Sequence, residues 1–216
     1  MLCYAHTCKQ HGVEMTKLRV RRGTALAFLA ALALTVPAAA QFTDSYSFLK
    51  AVRDGDGTKA TKFLSKPGST IVNTRDPSNG ESALHIVVKR KALDWMGFII
   101  QKGGNLDARD NEGNTALMDA ARIGYAEGVD LLIKVGASVD LANSRGETPL
   151  IAAVQNRDIA CVRLLLAGGA SPTVTDRIAG MSAHDYAVRD ARAGPILKLL
   201  DEAKPKKAKS TVGPTL

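Results

Sequence analysis

The chain has 216 residues, a formal net charge of +8 and 45% hydrophobic residues. This composition excludes a wholly disordered chain, and the length suits one ordinary domain or one short repeat array. The excess charge lies at the two ends, because residues 41–203 hold 20 basic and 20 acidic residues. Nucleic-acid binding requires a sustained basic face, so nucleic acid is not expected as a partner.

The first forty residues have the pattern of a secretory signal peptide. Residues 16–22 (TKLRVRR) are basic, residues 24–36 (TALAFLAALALTV) are apolar, and residues 38–40 (AAA) are small. This order predicts export and cleavage after Ala40. The apolar run is shorter than the ~20 residues that span a bilayer, so a cleaved peptide is favoured over an uncleaved anchor.

The pattern begins at Met15, which we expect to be the true start of translation. Four Cys and His residues at metal-ligand spacing then precede the protein or are discarded with the signal peptide: Cys3, His6, Cys8 and His11. Cys161 alone remains in residues 41–216, so no internal disulfide is expected. We expect the mature protein in the periplasm, with release from the cell as an alternative, and no membrane association after cleavage.

A repeat of about 33 residues occupies the rest of the chain. Gly80, Gly113, Gly146 and Gly180 are spaced by 33, 33 and 34 residues. The same spacing recurs in a hydroxyl residue, in an apolar pair and in a second glycine: Ser82, Thr115, Thr148, Ser182; Ile99-Ile100, Leu132-Ile133, Leu165-Leu166, Leu199-Leu200; Gly103, Gly136, Gly169. Markers in one register indicate one structural unit repeated along the chain.

The segments that carry these markers resemble the ankyrin repeat. GESALHIVV (80–88), GNTALMDAA (113–121) and GETPLIAA (146–153) are similar to its G-x-T-P-L-H-x-A-A motif. VDLLIKVGASVD (129–140) and VRLLLAGGASP (162–172) resemble its second helix and following turn. The resemblance covers about residues 44–203 and implies an all-α solenoid of stacked helix-turn-helix units with short hairpin-like loops.

Local chemistry agrees with this expectation. Thr148 before Pro149 predicts a helix N-cap followed by proline in the first turn, and the equivalent hydroxyl residues can cap in the same way. The first helix of that unit is predicted over Thr148–Gln155 and the second over Asp158–Ala167, ending at Gly169. We assign a repeat domain at 41–203 with units at 44–75, 76–109, 110–142, 143–175 and 176–203. Residues 204–216 are expected to form a basic disordered tail.

Three residue types invite a chemical role, and each has a structural interpretation. The resemblance implies that His85 orders its own loop. Adjacent His184 and Asp185 are too few for a metal site, which needs three or four ligands, and are interpreted as capping residues. Cys161 is interpreted as a buried small hydrophobe. We therefore expect no catalytic residues, no cofactor and no metal.

The resemblance implies binding of another protein through a concave face made by the loop tips and the inner ends of the first helices. The residues at matching positions are Ser78, Asn79, Glu81, Lys89, Arg90, Asn111, Glu112, Asn114, Arg122, Ile123, Ser144, Arg145, Glu147, Gln155 and Asn156. We expect a non-catalytic scaffold or adaptor that is monomeric on its own. A secreted effector acting on a protein of a host or neighbouring cell is the alternative, and an enzyme or small-ligand binder is a further one.

Charge on this face is predicted to be uneven. Lys89, Arg90 and Arg122 would form a basic floor in the N-terminal half, whereas acidic residues would line the rim. Cations at a helix C-terminus are favoured by the macrodipole, which offers a purely structural explanation. The hypothesis is that the basic strip meets an acidic segment of the partner.

Overall fold

A computed structural model describes residues 38–65 and 70–203, with side-chain surroundings from residue 44 onward. The predicted signal-peptide segments and the Cys and His group near the N-terminus lie outside these residues, as does the tail from residue 204. The described residues contain α-helices, one 3-10 helix and two isolated antiparallel bridges, but no strand longer than a bridge. The predicted all-α class is confirmed.

The helices follow one another in pairs, a first and a second helix in each unit. Their bounds are α1 Ala38–Asp54, α2 Gly57–Leu64, α3 Ala83–Lys89, α4 Leu93–Gln101, α5 Ala116–Arg122, α6 Ala126–Lys134, α7 Pro149–Gln155, α8 Ile159–Ala167, α9 Ala183–Arg189 and α10 Gly194–Glu202, with a 3-10 helix at Ile71–Asn73.

The units stack side by side so that equivalent helices of neighbours pack together. Helices α3, α5, α7 and α9 contact one another in that order, and so do α4, α6, α8 and α10. The interfaces bury large apolar side chains such as Leu117, Leu132, Leu150 and Leu165, each 0% exposed. No single unit could bury its apolar face alone, so the stack is the stable unit.

The predicted helix ends are confirmed. Thr115 and Thr148 accept hydrogen bonds from the backbone N–H of Met118 and Ile151, both at 3.3 Å. Ser82 and Ser182 form capping boxes, and proline stands in the first turn of α7. Gly103, Gly136 and Gly169 have positive φ angles of 84°, 97° and 85° just after the second helices.

The last unit departs from the predicted register. Helix α9 starts at Ala183 and α10 at Gly194, whereas α7 and α8 start at Pro149 and Ile159, so the last turn holds one more residue. Leu200, which is 3% exposed, therefore takes the place of Leu165. The alignment of Leu199-Leu200 with Leu165-Leu166 was wrong by one position, because no glycine marks the insertion.

The first unit is joined to the second without a hairpin motif of its own. Phe48, Leu49 and Val52 on α1 belong to the core at 0–1% exposure. The Arg90 guanidinium of the second unit donates to the Val52 carbonyl at 2.5 Å. The degenerate first unit thus caps the stack with an apolar helix face.

Candidate protein-binding surface

Each hairpin tip opens with an Asp or Asn whose side chain holds the turn. The backbone N–H two residues on donates to this side chain, at 2.8 Å for Asp76, 2.9 Å for Asp110 and Asn143, and 3.0 Å for Asp176. Such a turn needs no helix or strand partner, because the side chain replaces a backbone acceptor. Ionisation is favoured at the first tip, where hydrogen bonds from Ser78 and then Arg53 lower the pKa of Asp76 to about 2.

Successive tips are joined by backbone hydrogen bonds, which we call the tip ladder. The N–H groups of Asn111, Ser144 and Arg177 donate to the carbonyls of the preceding tips. The acceptors are Asn79, Glu112 and Arg145, at 2.9, 2.9 and 2.8 Å. The tips are therefore held at fixed positions relative to one another.

The two ends of the tip ladder differ. Pro77 follows Asp76 as Asn111 follows Asp110, and proline has no N–H to donate. At the other end, no described atom lies within 4 Å of a Cβ added to Gly180, whereas the same atom on Gly146 would lie 2.7 Å from the Arg177 nitrogen. The ladder is thus closed at its N-terminal edge and uncovered at its C-terminal edge within the described residues.

Most predicted tip residues lie on the surface. Ser78, Asn79, Asn111, Glu112, Ser144 and Arg145 are exposed, and Glu81 and Glu147 are half-buried. Asn114 is an exception, because it is only 2% exposed. Its side chain donates to Asp110 Oδ2 at 3.0 Å and accepts from Arg122 Nη2 and Asn143 Nδ2 at 3.0 Å each. Stacking of the next unit buries it, so its placement among exposed tip residues was wrong.

The interpretation of His85 as a local structural residue is extended by the structure. Its Nδ1 atom accepts a hydrogen bond from the Ser82 N–H at 3.2 Å. That assignment leaves the proton on Nε2, which donates to the Asn114 carbonyl of the next unit at 3.0 Å. His85 therefore fixes both its own loop and the neighbouring tip.

The first helices end in a row of equivalent positions, which we call the helix-end row. In successive units the row contains Arg53, Lys89, Arg122, Gln155 and Arg189. Equivalence of the first two follows from the turns, since the N–H groups of Gly55 and Lys91 donate to the carbonyls of Val52 and Val88. Sequence analysis missed Arg53 because its unit lacks the motif, although Val52-Arg53 repeats the pattern of Val88-Lys89.

The predicted basic strip is already paired within the chain. Lys89 Nζ lies 2.5 Å from Glu81 Oε1 and 3.4 Å from Asp119 Oδ2. Arg122 lies 3.7 Å from both Asp119 and Glu147, and Arg53 pairs with Asp76. The hypothesis of an unpaired basic floor opposite an acidic rim was wrong in this respect, because the carboxylates of the rim reach the floor.

Cations and carboxylates of this network lie at different depths. The side chains of Arg53, Lys89 and Arg122 are 37%, 43% and 37% exposed. The carboxylate side chains beneath them are 3–15% exposed: Asp76, Glu81, Asp119 and Glu147. A partner approaching from solvent therefore meets the cations first.

Asp119 is the most deeply buried of these carboxylates. Its Oδ2 atom accepts no hydrogen bond from a described residue, and burial raises the pKa of its carboxyl group despite the attraction of Lys89. The equivalent positions in neighbouring units hold Ile86 and Ala152. Sequence analysis did not single it out, because the motif leaves this position free.

The remaining predicted helix-end residues serve different surroundings. Arg90 reaches back to the first unit, and Ile123 is half-buried against the core. Gln155 and Asn156 are exposed. The structure therefore brings only Lys89 and Arg122 of the predicted strip into one network.

The residues considered for chemistry occupy structural positions. Cys161 is fully buried, and burial raises the pKa of its thiol to about 12. Asp185 completes the cap of Ser182, whereas His184 contacts Asp201 Oδ1 at 2.9 Å. Within the described residues, no three His, Cys, Asp or Glu side chains lie close enough to hold a metal ion. None of the described helices has the length and apolarity needed to cross a membrane.

Comparison with known proteins agrees with this architecture. A profile of three ankyrin repeats matches residues 48–143 and 129–209. Over 85 residues the chain is also 34% identical to a probable E3 ubiquitin-protein ligase, XBOS33, of rice (Oryza sativa subsp. japonica). That stretch is 39% of this chain and 16% of the ligase, so the similarity covers a small part of that protein.

Ankyrin repeats are protein–protein interaction modules and are generally not catalytic. The matched profile covers well over half of the chain and coincides with the stacked units of the structure. The chain therefore belongs to the ankyrin-repeat family.

Proposed function

We propose that this protein is an exported, non-catalytic scaffold that binds another protein in the periplasm through its hairpin tips and helix-end row. The tip ladder is the observation that carries the proposal. It holds exposed polar side chains of three successive tips on a backbone fixed by hydrogen bonds of 2.8–2.9 Å. Fixed side chains lose little conformational entropy on binding, which favours their use as a recognition surface.

The proposed export is compatible with the packing of the first unit. Cleavage after Ala40 would remove only the first three residues of α1, which begins at Ala38. The residues that join α1 to the core, including Phe48 and Val52, would remain. N-terminal sequencing of the protein from the periplasmic fraction should read QFTDSY, and a chain that retains residues 24–36 would contradict this expectation.

Site-specific photocrosslinking in the native cell tests the binding surface. A photoreactive amino acid is placed at Asn111 or Ser144 on the tips, and at Glu127 or Lys134 on α6 as matched exposed controls. The proposal predicts a crosslink to one protein from the tip positions and none from α6. Crosslinks from α6 alone would move the surface to the second helices. Recovery of these crosslinks from culture supernatant rather than periplasm would favour the effector alternative.

A further inference from the structure

The helix-end row has a regularity that the ion pairs maintain. One carboxylate stands between each of the first two pairs of cations. Glu81 lies 3.9 Å from Arg53 and 2.5 Å from Lys89. Asp119 lies 3.4 Å from Lys89 and 3.7 Å from Arg122. The buried carboxylates therefore fix three partly exposed cations, one in each of three successive units.

The outer sides of these cations retain hydrogen-bonding capacity. A guanidinium group has five N–H donors and an ammonium group has three. The hydrogen bonds of Arg122 and Lys89 within the chain go to Asn114 Oδ1 and Glu81 Oε1. Donors that remain free on a partly exposed cation can meet an acceptor from outside, and a carboxylate gives the strongest such pair.

The spacing of the row selects a particular partner conformation. Packed helices lie about 8–10 Å apart, so successive cations are separated by about one such distance. A polyproline II segment rises ~3.1 Å per residue with three residues per turn, which places every third side chain on one face about 9 Å apart. An extended β-strand instead presents every second residue on one face, about 7 Å apart, and falls out of step.

We infer that Arg53, Lys89 and Arg122 bind a polyproline II-type segment of a partner protein that carries an acidic residue at every third position. The inference rests on the proposed function, since it names the chemistry of the partner. A single-stranded nucleic acid is disfavoured, because a continuous polyanion gains little from a surface whose cations are balanced by carboxylates beneath. Gln155 ends the run of cations, so the segment spans three units.

Two peptides of equal composition test the register. Fluorescein-labelled (Glu-Pro-Pro)₄ is compared with a peptide that has four consecutive glutamates followed by eight prolines. Fluorescence anisotropy is measured with the full chain at two salt concentrations. The basic ends of the chain attract both peptides equally, so only the register can separate them. We expect about tenfold tighter binding of the repeating peptide, which corresponds to one additional well-formed charge pair. Equal affinities, or equal binding of an oligothymidine of the same charge, would overturn the inference.

Three variants connect the result to the row. Gln155→Arg adds a cation at the next equivalent position and should tighten (Glu-Pro-Pro)₅ several-fold without affecting the block peptide. Lys89→Ala with Asp119→Ala removes a cation together with its buried counter-ion and should abolish the preference. Lys134→Gln on α6 changes the same total charge elsewhere and should leave the preference intact. Gln155→Arg that fails to tighten (Glu-Pro-Pro)₅ while circular dichroism shows a native fold would contradict the inference.

The outcome is separable from that of the proposed function. Crosslinks from the tips in cells, together with equal affinity for the two peptides, would reject only the acidic polyproline II partner. Absence of crosslinks together with discrimination between the peptides would instead reject the tips as the surface used in the cell.

Discussion

His85 Nε2 donates to the carbonyl oxygen of Asn114 at 3.0 Å, and this bond joins the first helix of one unit to the tip of the next. The equivalent residues of the following units are Met118 and Ile151, which cannot make such a bond. The second and third units are thus linked by a buried polar contact that the other described interfaces replace by apolar packing.

Replacement of His85 by Met, the residue at the equivalent position of the next unit, tests this contact. The change leaves the Ser82 N–H and the Asn114 carbonyl without a partner in the interior. We expect a loss of about 1–3 kcal/mol in the free energy of unfolding, measured by urea denaturation. His184→Ala, at a partly exposed histidine, should lose under about 0.5 kcal/mol. Equal losses for the two variants would show that the buried contact contributes nothing.

Leu200 and Leu199 provide a matched test of the register in the last unit. Leu200 occupies the position of Leu165 and is 3% exposed, whereas Leu199 is half-buried. Leu200→Ala should cost about 2–5 kcal/mol, as for other buried leucines, and Leu199→Ala should cost clearly less. Thermal melts of both variants beside Leu132→Ala would decide. A larger effect at Leu199 would restore the alignment that the sequence pattern predicts.

Asp119 should make stability depend on pH in the direction opposite to an ordinary surface carboxylate. Burial raises the pKa of its carboxyl group, so the folded protein holds this proton more tightly than the unfolded chain does. Ionisation therefore costs the wild-type protein stability above that pKa, and the cost disappears as the pH falls through it. We expect Asp119→Ala to be at least as stable as wild type at pH 7, with its relative stability decreasing toward pH 4.

Asp110 is the matched control for this experiment. Burial acts against its ionisation, but hydrogen bonds from Asn114 prevail and lower its pKa. Stability from Asp110 is present above the pKa of the unfolded chain and is lost as the pH falls through the folded value. Asp110→Ala should therefore destabilise the protein at pH 7 by about 1–3 kcal/mol. The interpretation of Asp119 would be wrong if its alanine variant lost as much.

Cys161 should be unreactive while the stack is intact. A thiol with a pKa of about 12 and no exposed surface forms almost no accessible thiolate near neutral pH. Iodoacetamide at pH 8, followed by peptide mass spectrometry, should modify Cys161 only at denaturant concentrations that unfold the repeats. Rapid modification of native protein would show that α8 opens independently of its neighbours.

The parts of this structure that follow local rules were predictable from the sequence. Thr148 and Pro149 announce a helix start, and Gly136 announces a helix end, because each acts on its own backbone. Asn114 was misplaced because it shares its motif position with Glu81 and Glu147, and only contact with the next unit buries it. The pairing of Lys89 with Asp119 likewise joins residues 30 positions apart, which no helical period connects.

Pro77 and Gly180 give the array a direction of growth. A unit added by gene duplication after the last tip would find an uncovered glycine there, as each preceding unit did. A unit joined in front of Pro77 would find no N–H to meet its carbonyl, and two copies arranged head to tail would face the same mismatch. The proline thus guards against end-to-end polymerisation through the hairpins, a hazard of any structure built from identical stackable modules.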